Sequence, residues 1–174
     1  MLGIAATWLM VFRIARGAIT DGPWKTNLTT GSAQSDAYHR ASVAVHGLFA
    51  LNASETIYYT AATDDDGHTL EGDCRYEISG HDPDARWWSI TAYGRDDFLI
   101  PNPAHRYSVS KTTVARDAKG DFVVQVGGDS GGDNWIPVGG GRFSLSLRLY
   151  NPGPGVVLDP SHAVLPALRK VSCS

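Results

Sequence analysis

The sequence predicts a mainly β protein, an antiparallel two-sheet sandwich or jelly roll, and three observations predict it. Short runs rich in Val, Ile, Thr, Tyr and Trp alternate apolar with polar residues, the period of a half-buried strand. Nineteen glycines and nine prolines stand between those runs, where turns are needed. Beyond the N-terminal segment, only residues 36–51 carry apolar residues at helical spacing. A chain of 174 residues, 43% hydrophobic, suffices for one well-cored domain and is short for two.

Leu2 to Phe12 is apolar apart from Thr7, and Arg13 and Arg16 interrupt a run that would otherwise reach Ile19. Crossing a bilayer takes about 20 apolar residues. Residues 1–19 therefore read as a short anchor whose arginines snorkel, as the remainder of a signal sequence, or as an amphipathic helix packed on the domain or a partner. The expectation carried forward is a signal-anchor over residues 2–19, tethering a domain on the periplasmic side of the inner membrane, in the cell envelope. Residues 20–35, rich in Gly, Thr, Asn and Ser, read as a linker or extended arm, and residues 36–174 as the sandwich domain. Within that domain Ser35 or Asp36 can cap an amphipathic helix from Asp36 to Leu51, in which Tyr38, Ala41, Val45, Leu48 and Phe49 recur at three- and four-residue spacing.

Strands and turns follow. Thr56 to Ala62 places Ile57, Tyr59 and Ala61 together, and Asp64-Asp65-Asp66-Gly67 provides a hairpin-type turn. Cys74, Tyr76 and Ile78 share the next apolar face, with Arg75 and Glu77 opposite. The organising stretch is Arg86 to Pro103: Trp88, Ile90 and Ala92 form its dry face, Trp87, Ser89, Thr91 and Tyr93 its wet face, and Pro-Asn-Pro ends it. Strands are then expected at Tyr107–Lys111, Asp121–Val126 and Arg142–Tyr150. The last has the cleanest alternation, with Phe143, Leu145, Leu147 and Leu149 on one side. A proline-rich tail from Pro152 ends in LPALRKVSCS.

Charged residues make up 19% of the chain and the net charge is −3, so there is no basic field to gather nucleic acid. Cys74 and Cys173 are too few and too far apart for a paired metal site. Their even number, beside an export-like N-terminus, favours one disulfide over two free thiols. Such a bond would close a loop of about 100 residues and contribute about 4 kcal/mol.

Gly128-Asp129-Ser130-Gly131-Gly132 spells the nucleophile loop of chymotrypsin-like proteases, but no histidine segment of that class accompanies it and the chain is too short for two barrels. A glycine-rich turn is the better reading. Asp64 to Asp66 resembles half a calcium loop, yet its carboxylates are consecutive where an EF-hand alternates them, so a solvated turn is expected. The six histidines show no ligand spacing, and neither a metal nor a cofactor is predicted. If the strands are neighbours, Tyr58, Thr60, Arg75, Glu77, Trp87, Ser89, Thr91, Tyr93, Ser146 and Arg148 share one wet face that mixes aromatics, hydroxyls and an Arg-Glu pair.

Five segments in order, Trp87 to Tyr93, Leu99 to Pro103, Arg106 to Ser108, Asn134 to Pro137 and Phe143 to Tyr150, resemble the bacterial family catalogued as domain of unknown function 1214. The resemblance implies a jelly-roll-like β sandwich. It also implies either the C-terminal half of a two-domain exported protein or a short single-domain protein with a hydrophobic N-terminus, and the chain is similar to the second. It implies no reaction. Polar and aromatic positions in its segments, Asn102, Arg106, Tyr107, Asn134 and Trp135, mark a candidate site at one end of the sandwich, or else cap turns and plug that end.

Three functions fit these readings. The first is a non-catalytic envelope domain that binds a small molecule, glycan or partner protein through Tyr58, Glu77, Trp87, Tyr93, Asn102, Arg106, Asn134, Trp135 and Arg148. The second is a hydrolase of a small or carbohydrate-like substrate, using Glu77 or Asp97 near Arg148. The third is a structural subunit of a membrane assembly.

Overall fold

Alternation is cleanest over the last predicted strand, and that strand forms the middle of the larger sheet in the computed structural model, which describes residues 18–32, 35–45, 51–128 and 131–173. The elements run β1 (Ile19–Asp21), β2 (Trp24–Thr26), α1 (Ala37–Val45), β3 (Thr56–Ala61), β4 (Cys74–Gly80), β5 (Ala85–Gly94), β6 (Ser108–Ser110) and β7 (Phe122–Val126). After these come β8 (Trp135–Ile136), β9 (Phe143–Pro152), α2 (Pro154–Leu158), a 3-10 turn (Pro160–His162) and β10 (Ala167–Cys173). One sheet has six strands in the order β1-β2-β3-β9-β5-β6, and the other has four in the order β10-β4-β7-β8.

Period-two sequence makes the core. β9 lies between β3 and β5, so Leu145, Leu147 and Leu149 stand in register with Ala61, Tyr59 and Ile57 on one side and with Ala92, Ile90 and Trp88 on the other. All nine are buried. Tyr76, Ile78, Phe122, Val124, Val126, Ile136 and Leu168 supply the facing layer from the smaller sheet. Aromatic contacts join the layers: Trp88 meets Phe122 at 4.9 Å between ring centroids, and Tyr76 meets Phe143 edge-on at 5.7 Å.

Several expectations change in the folded chain. Arg75 and Glu77 lie on β4, in the smaller sheet, so they share no face with Arg148 and the supposed Arg-Glu pair does not form. The error is physical: alternation gives the face of a strand but not the sheet it joins. The smaller sheet is not wholly antiparallel, because β8 runs parallel to β7. Gly127 has φ 75°, and a Cβ there would lie 2.5 Å from the Cys74 carbonyl oxygen, so only glycine fits. Ser130 of the protease-like string lies outside the described residues.

The segment expected as a linker or arm pairs with the domain. β1 and β2 form a hairpin about Gly22-Pro23, β2 pairs with β3, and Trp24 is buried with its indole donating to the Pro166 carbonyl at 2.8 Å. α1 covers part of the helix expected over 36–51, with Tyr38 exposed, and residues 46–50 lie outside the described residues. The segment expected to anchor the chain, residues 2–17 in particular, also lies outside them. No helix among the described residues is long and apolar enough to cross a membrane. β5 stops at Gly94, before the Pro-Asn-Pro segment, where the Gly94 N–H donates to the Phe98 carbonyl across a turn.

The tail is a strand the sequence pattern hides. β10 pairs with β4 through a register shift between Lys170 and Ser172, and only Leu168 of its seven residues is buried. Cys173 faces Cys74, and the two form the expected disulfide across 99 positions of sequence. Paired Cys74→Ser and Cys173→Ser substitutions are expected to lower unfolding stability by about 2–5 kcal/mol, read by denaturant titration without reductant. Trp88→Ala should cost about 3–5 kcal/mol by emptying the inter-sheet contact. A Cys-free protein as stable as wild type would show that noncovalent contacts suffice to hold the tail.

Candidate functional site

The outer face of the six-stranded sheet follows from the same alternation. Register across β3, β9 and β5 lines up Tyr58, Arg148 and Ser89, then Thr60, Ser146 and Thr91, then Thr56, Tyr150 and Trp87. Tyr93 stands beside Ser144. Thus the predicted residues Tyr58, Trp87, Tyr93 and Arg148 do share one surface.

Arg148 is its centre. One terminal nitrogen donates to Thr91 Oγ1 at 3.2 Å and the other to the Tyr93 hydroxyl at 2.8 Å, with the guanidinium carbon 5.4 Å from the Tyr93 ring centroid. No carboxylate forms an ion pair with Arg148 among the described residues. A guanidinium carries five N–H donors, so this one keeps capacity for an anionic or hydroxyl-bearing ligand while two neutral neighbours hold it still. Beside it the Trp87 and Tyr150 rings lie 5.2 Å apart at a tilt, with the Trp87 indole reaching Thr112 Oγ1 at 3.4 Å. Tyr58 accepts the Leu51 N–H at 3.2 Å. Ser89 and Thr91 are buried beneath these larger groups, whose own side chains are half-buried.

The remaining candidates lie elsewhere. Glu77 accepts from Gln125 Nε2 at 2.8 Å on the outer side of the smaller sheet, in the row that continues to Trp135. Trp135 donates to the Gly127 carbonyl. Asn102 bonds the carbonyls of Ile100 and Arg106 and accepts the Arg106 N–H, closing its own loop. Arg106 reaches the carbonyls of Gly132 and Asp133. Asn134 holds Ala115 at both its N–H and carbonyl, and bonds the Val123 carbonyl as well. These four side chains are committed to main-chain groups around them. Open clefts of about 480 and 350 Å³ flank Gly94 and Arg95 at the end of β5, and Asp97 lines the smaller one beside Arg142.

One polar group escaped sequence reasoning. Asp159 accepts from Ser161 Oγ at 2.6 Å and lies 2.9 Å from His162 Nδ1, and these partners hold its carboxyl below the usual range. Nearby, burial pushes the Asp21 carboxyl up against a partial offset from His162. Burial, then the charges of Asp21 and Asp159, push the Tyr59 hydroxyl far up, and it donates to the Pro160 carbonyl. The Asp-x-Ser spacing was visible in the sequence. Asp21 and Tyr59 were not linkable to it, because only tertiary folding brings β1 against the 3-10 turn.

Two packed sheets with a polar, aromatic outer face define a mainly β domain. Residues 55–154, more than half of the chain, match the family described as Protein of unknown function (DUF1214), and the chain belongs to that family. Among solved structures it is similar to the VPA0106 protein of Vibrio parahaemolyticus, at 22% identity and a TM-score of 0.70 over 98% of this chain and 44% of that one. That likeness is one of fold. It also matches an uncharacterized protein of Burkholderia cenocepacia at 12% identity and a TM-score of 0.48, over 95% of this chain and 40% of the other. The chain thus spans less than half the length of these solved relatives. No curated protein matches it.

Burial raises the folded-state pKa of Asp21 above its ordinary 3.8, so the wild-type protein gains stability as pH falls through that range and carries a penalty once the group ionises. Asp21→Asn stays neutral throughout. It should therefore melt above wild type at neutral pH, with the gap closing as pH falls through the raised folded-state pKa towards 3.8. A gap that does not change with pH would assign the effect to packing instead.

Proposed function

We propose that this chain is an envelope-associated, jelly-roll-like domain that binds a small acid or an acidic glycan on the outer face of its six-stranded sheet, without catalysis. The observation that carries the reading is Arg148, braced by Thr91 and Tyr93 and without an ion-pair partner among the described residues, next to the tilted Trp87 and Tyr150 rings. Flat aromatic faces stack on sugar rings or planar groups, and a fixed guanidinium takes a carboxylate through paired N–H donors. The disulfide supports a location outside the reducing cytoplasm. The tether through residues 2–19 belongs to the same proposal, and so does a protein partner docking on this face in place of a glycan.

A hydrolase is the second reading, and its support is narrower: Asp97 and Arg142 line one cleft at the end of β5. Glu77 no longer contributes to it, being bonded to Gln125 in the other sheet.

A thermal-shift screen of the full chain against uronic acid oligosaccharides, neutral sugars and small dicarboxylic acids tests the binding reading. A ligand at a hundred times its dissociation constant should stabilise the fold by about 2.7 kcal/mol. Arg148→Ala and Trp87→Ala should abolish the shift, and Glu77→Gln should leave it intact. A shift that survives Arg148→Ala would move the site off this face, and acid-independent binding of neutral sugars alone would remove the role given to the guanidinium.

A further inference from the structure

The turn between β3 and β4 holds a carboxylate that its surroundings do not satisfy. Asp64 is 1% exposed; its Oδ1 accepts the N–H groups of Asp66 at 3.1 Å and His68 at 2.8 Å. Its Oδ2 is buried and has no hydrogen-bond partner among the described residues. A carboxylate taken out of water with one oxygen unpaired is unfavourable unless a cation or a donor meets it. Two exposed side chains stand next to it. His68 Nδ1 lies 3.5 Å from Asp64 Oδ1, and one ligand atom from each of Asp64, Asp66 and His68 lies within 4.8 Å of the others.

We propose that Asp64, Asp66 and His68 form a binding site for a divalent transition-type cation, Zn²⁺ or Mn²⁺. Two carboxylates and one imidazole suit these ions, with water completing the shell. Ca²⁺ fits less well, since it asks for six to eight oxygens. The sequence argued against a site here because Asp64, Asp65 and Asp66 are consecutive, and folding removes that objection. Asp65 turns away: its N–H donates to the Leu168 carbonyl at 2.8 Å, and its Oδ2 accepts the Leu168 N–H at 3.0 Å. What remains on the ligand side is the alternate set 64, 66 and 68.

The role that follows is structural. The same turn that would hold the cation grips Leu168 of β10, the strand that carries Cys173. A cation at this turn therefore braces the C-terminal strand at the end opposite its disulfide.

The test uses the full chain without a histidine tag, stripped with chelator and titrated by calorimetry with ZnCl₂, MnCl₂ and CaCl₂, followed by thermal unfolding. The expected result is saturable one-to-one binding of Zn²⁺ or Mn²⁺, tighter than Ca²⁺, with a raised melting temperature. Asp66→Asn and His68→Gln, both at exposed positions, should each weaken binding by at least about tenfold while leaving the metal-free melting temperature unchanged. Absence of saturable binding to Zn²⁺ and Mn²⁺ would overturn the proposal. So would wild-type affinity in both variants, which would assign the ion to other histidines.

Discussion

The structure depends on β9 being paired along its length on both sides. Its partners come from distant parts of the chain, β3 before it and β5 between them, so three separate segments must align before any of them has a complete apolar layer. Because side chains alternate, one ladder sets two surfaces at once: the leucines of β9 go to the core, and Ser144, Ser146, Arg148 and Tyr150 go outward. A slip of one residue would bury Arg148 and expose three leucines. Core packing thereby also holds the polar face in register, and the candidate ligand surface is rigid for the same reason the core is dense.

The second constraint is the return of the C-terminal tail. It runs through α2, the 3-10 turn and β10, and it is held by hydrogen bonds to the domain it covers. The Trp24 indole bonds the Pro166 carbonyl, the Tyr59 hydroxyl bonds the Pro160 carbonyl, and Asp65 bonds Leu168 at both main-chain groups. Each satisfies a buried or half-buried polar group that would otherwise lose its hydration. The disulfide then closes the far end against β4. These contacts tie N-terminal arm, sheets and tail together, and they explain how a tail with one buried side chain in its strand stays in place.

The candidate residues sorted themselves by a similar logic. Tyr58, Trp87, Tyr93 and Arg148 converge because they occupy outward positions on adjacent strands. Asn102 and Asn134 satisfy loop carbonyls and amides, which short amide side chains do well and which their position in family segments did not distinguish from ligand contact. Glu77 had the right alternation and the wrong sheet. The Asp64 turn carries three consecutive carboxylates, of which Asp65 is committed to β10.

From the sequence alone came much of what depends on neighbours along the chain. The β-rich class, the faces of β3, β4, β5 and β9 and the family resemblance all rest on spacing, propensity or local motif. The cysteine count made a disulfide the favoured pairing as well, since there was only one other cysteine to meet. Strand partnership was decided by tertiary structure, because a period of two says which side a residue faces and nothing about which strand lies beside it. So were the parallel β7–β8 pair, the pairing of β10, whose exposed residues leave no alternation to read, and the meeting of Asp21 with the turn at His162. These features rest on contacts between residues far apart in the chain, and a one-dimensional pattern carries no record of them.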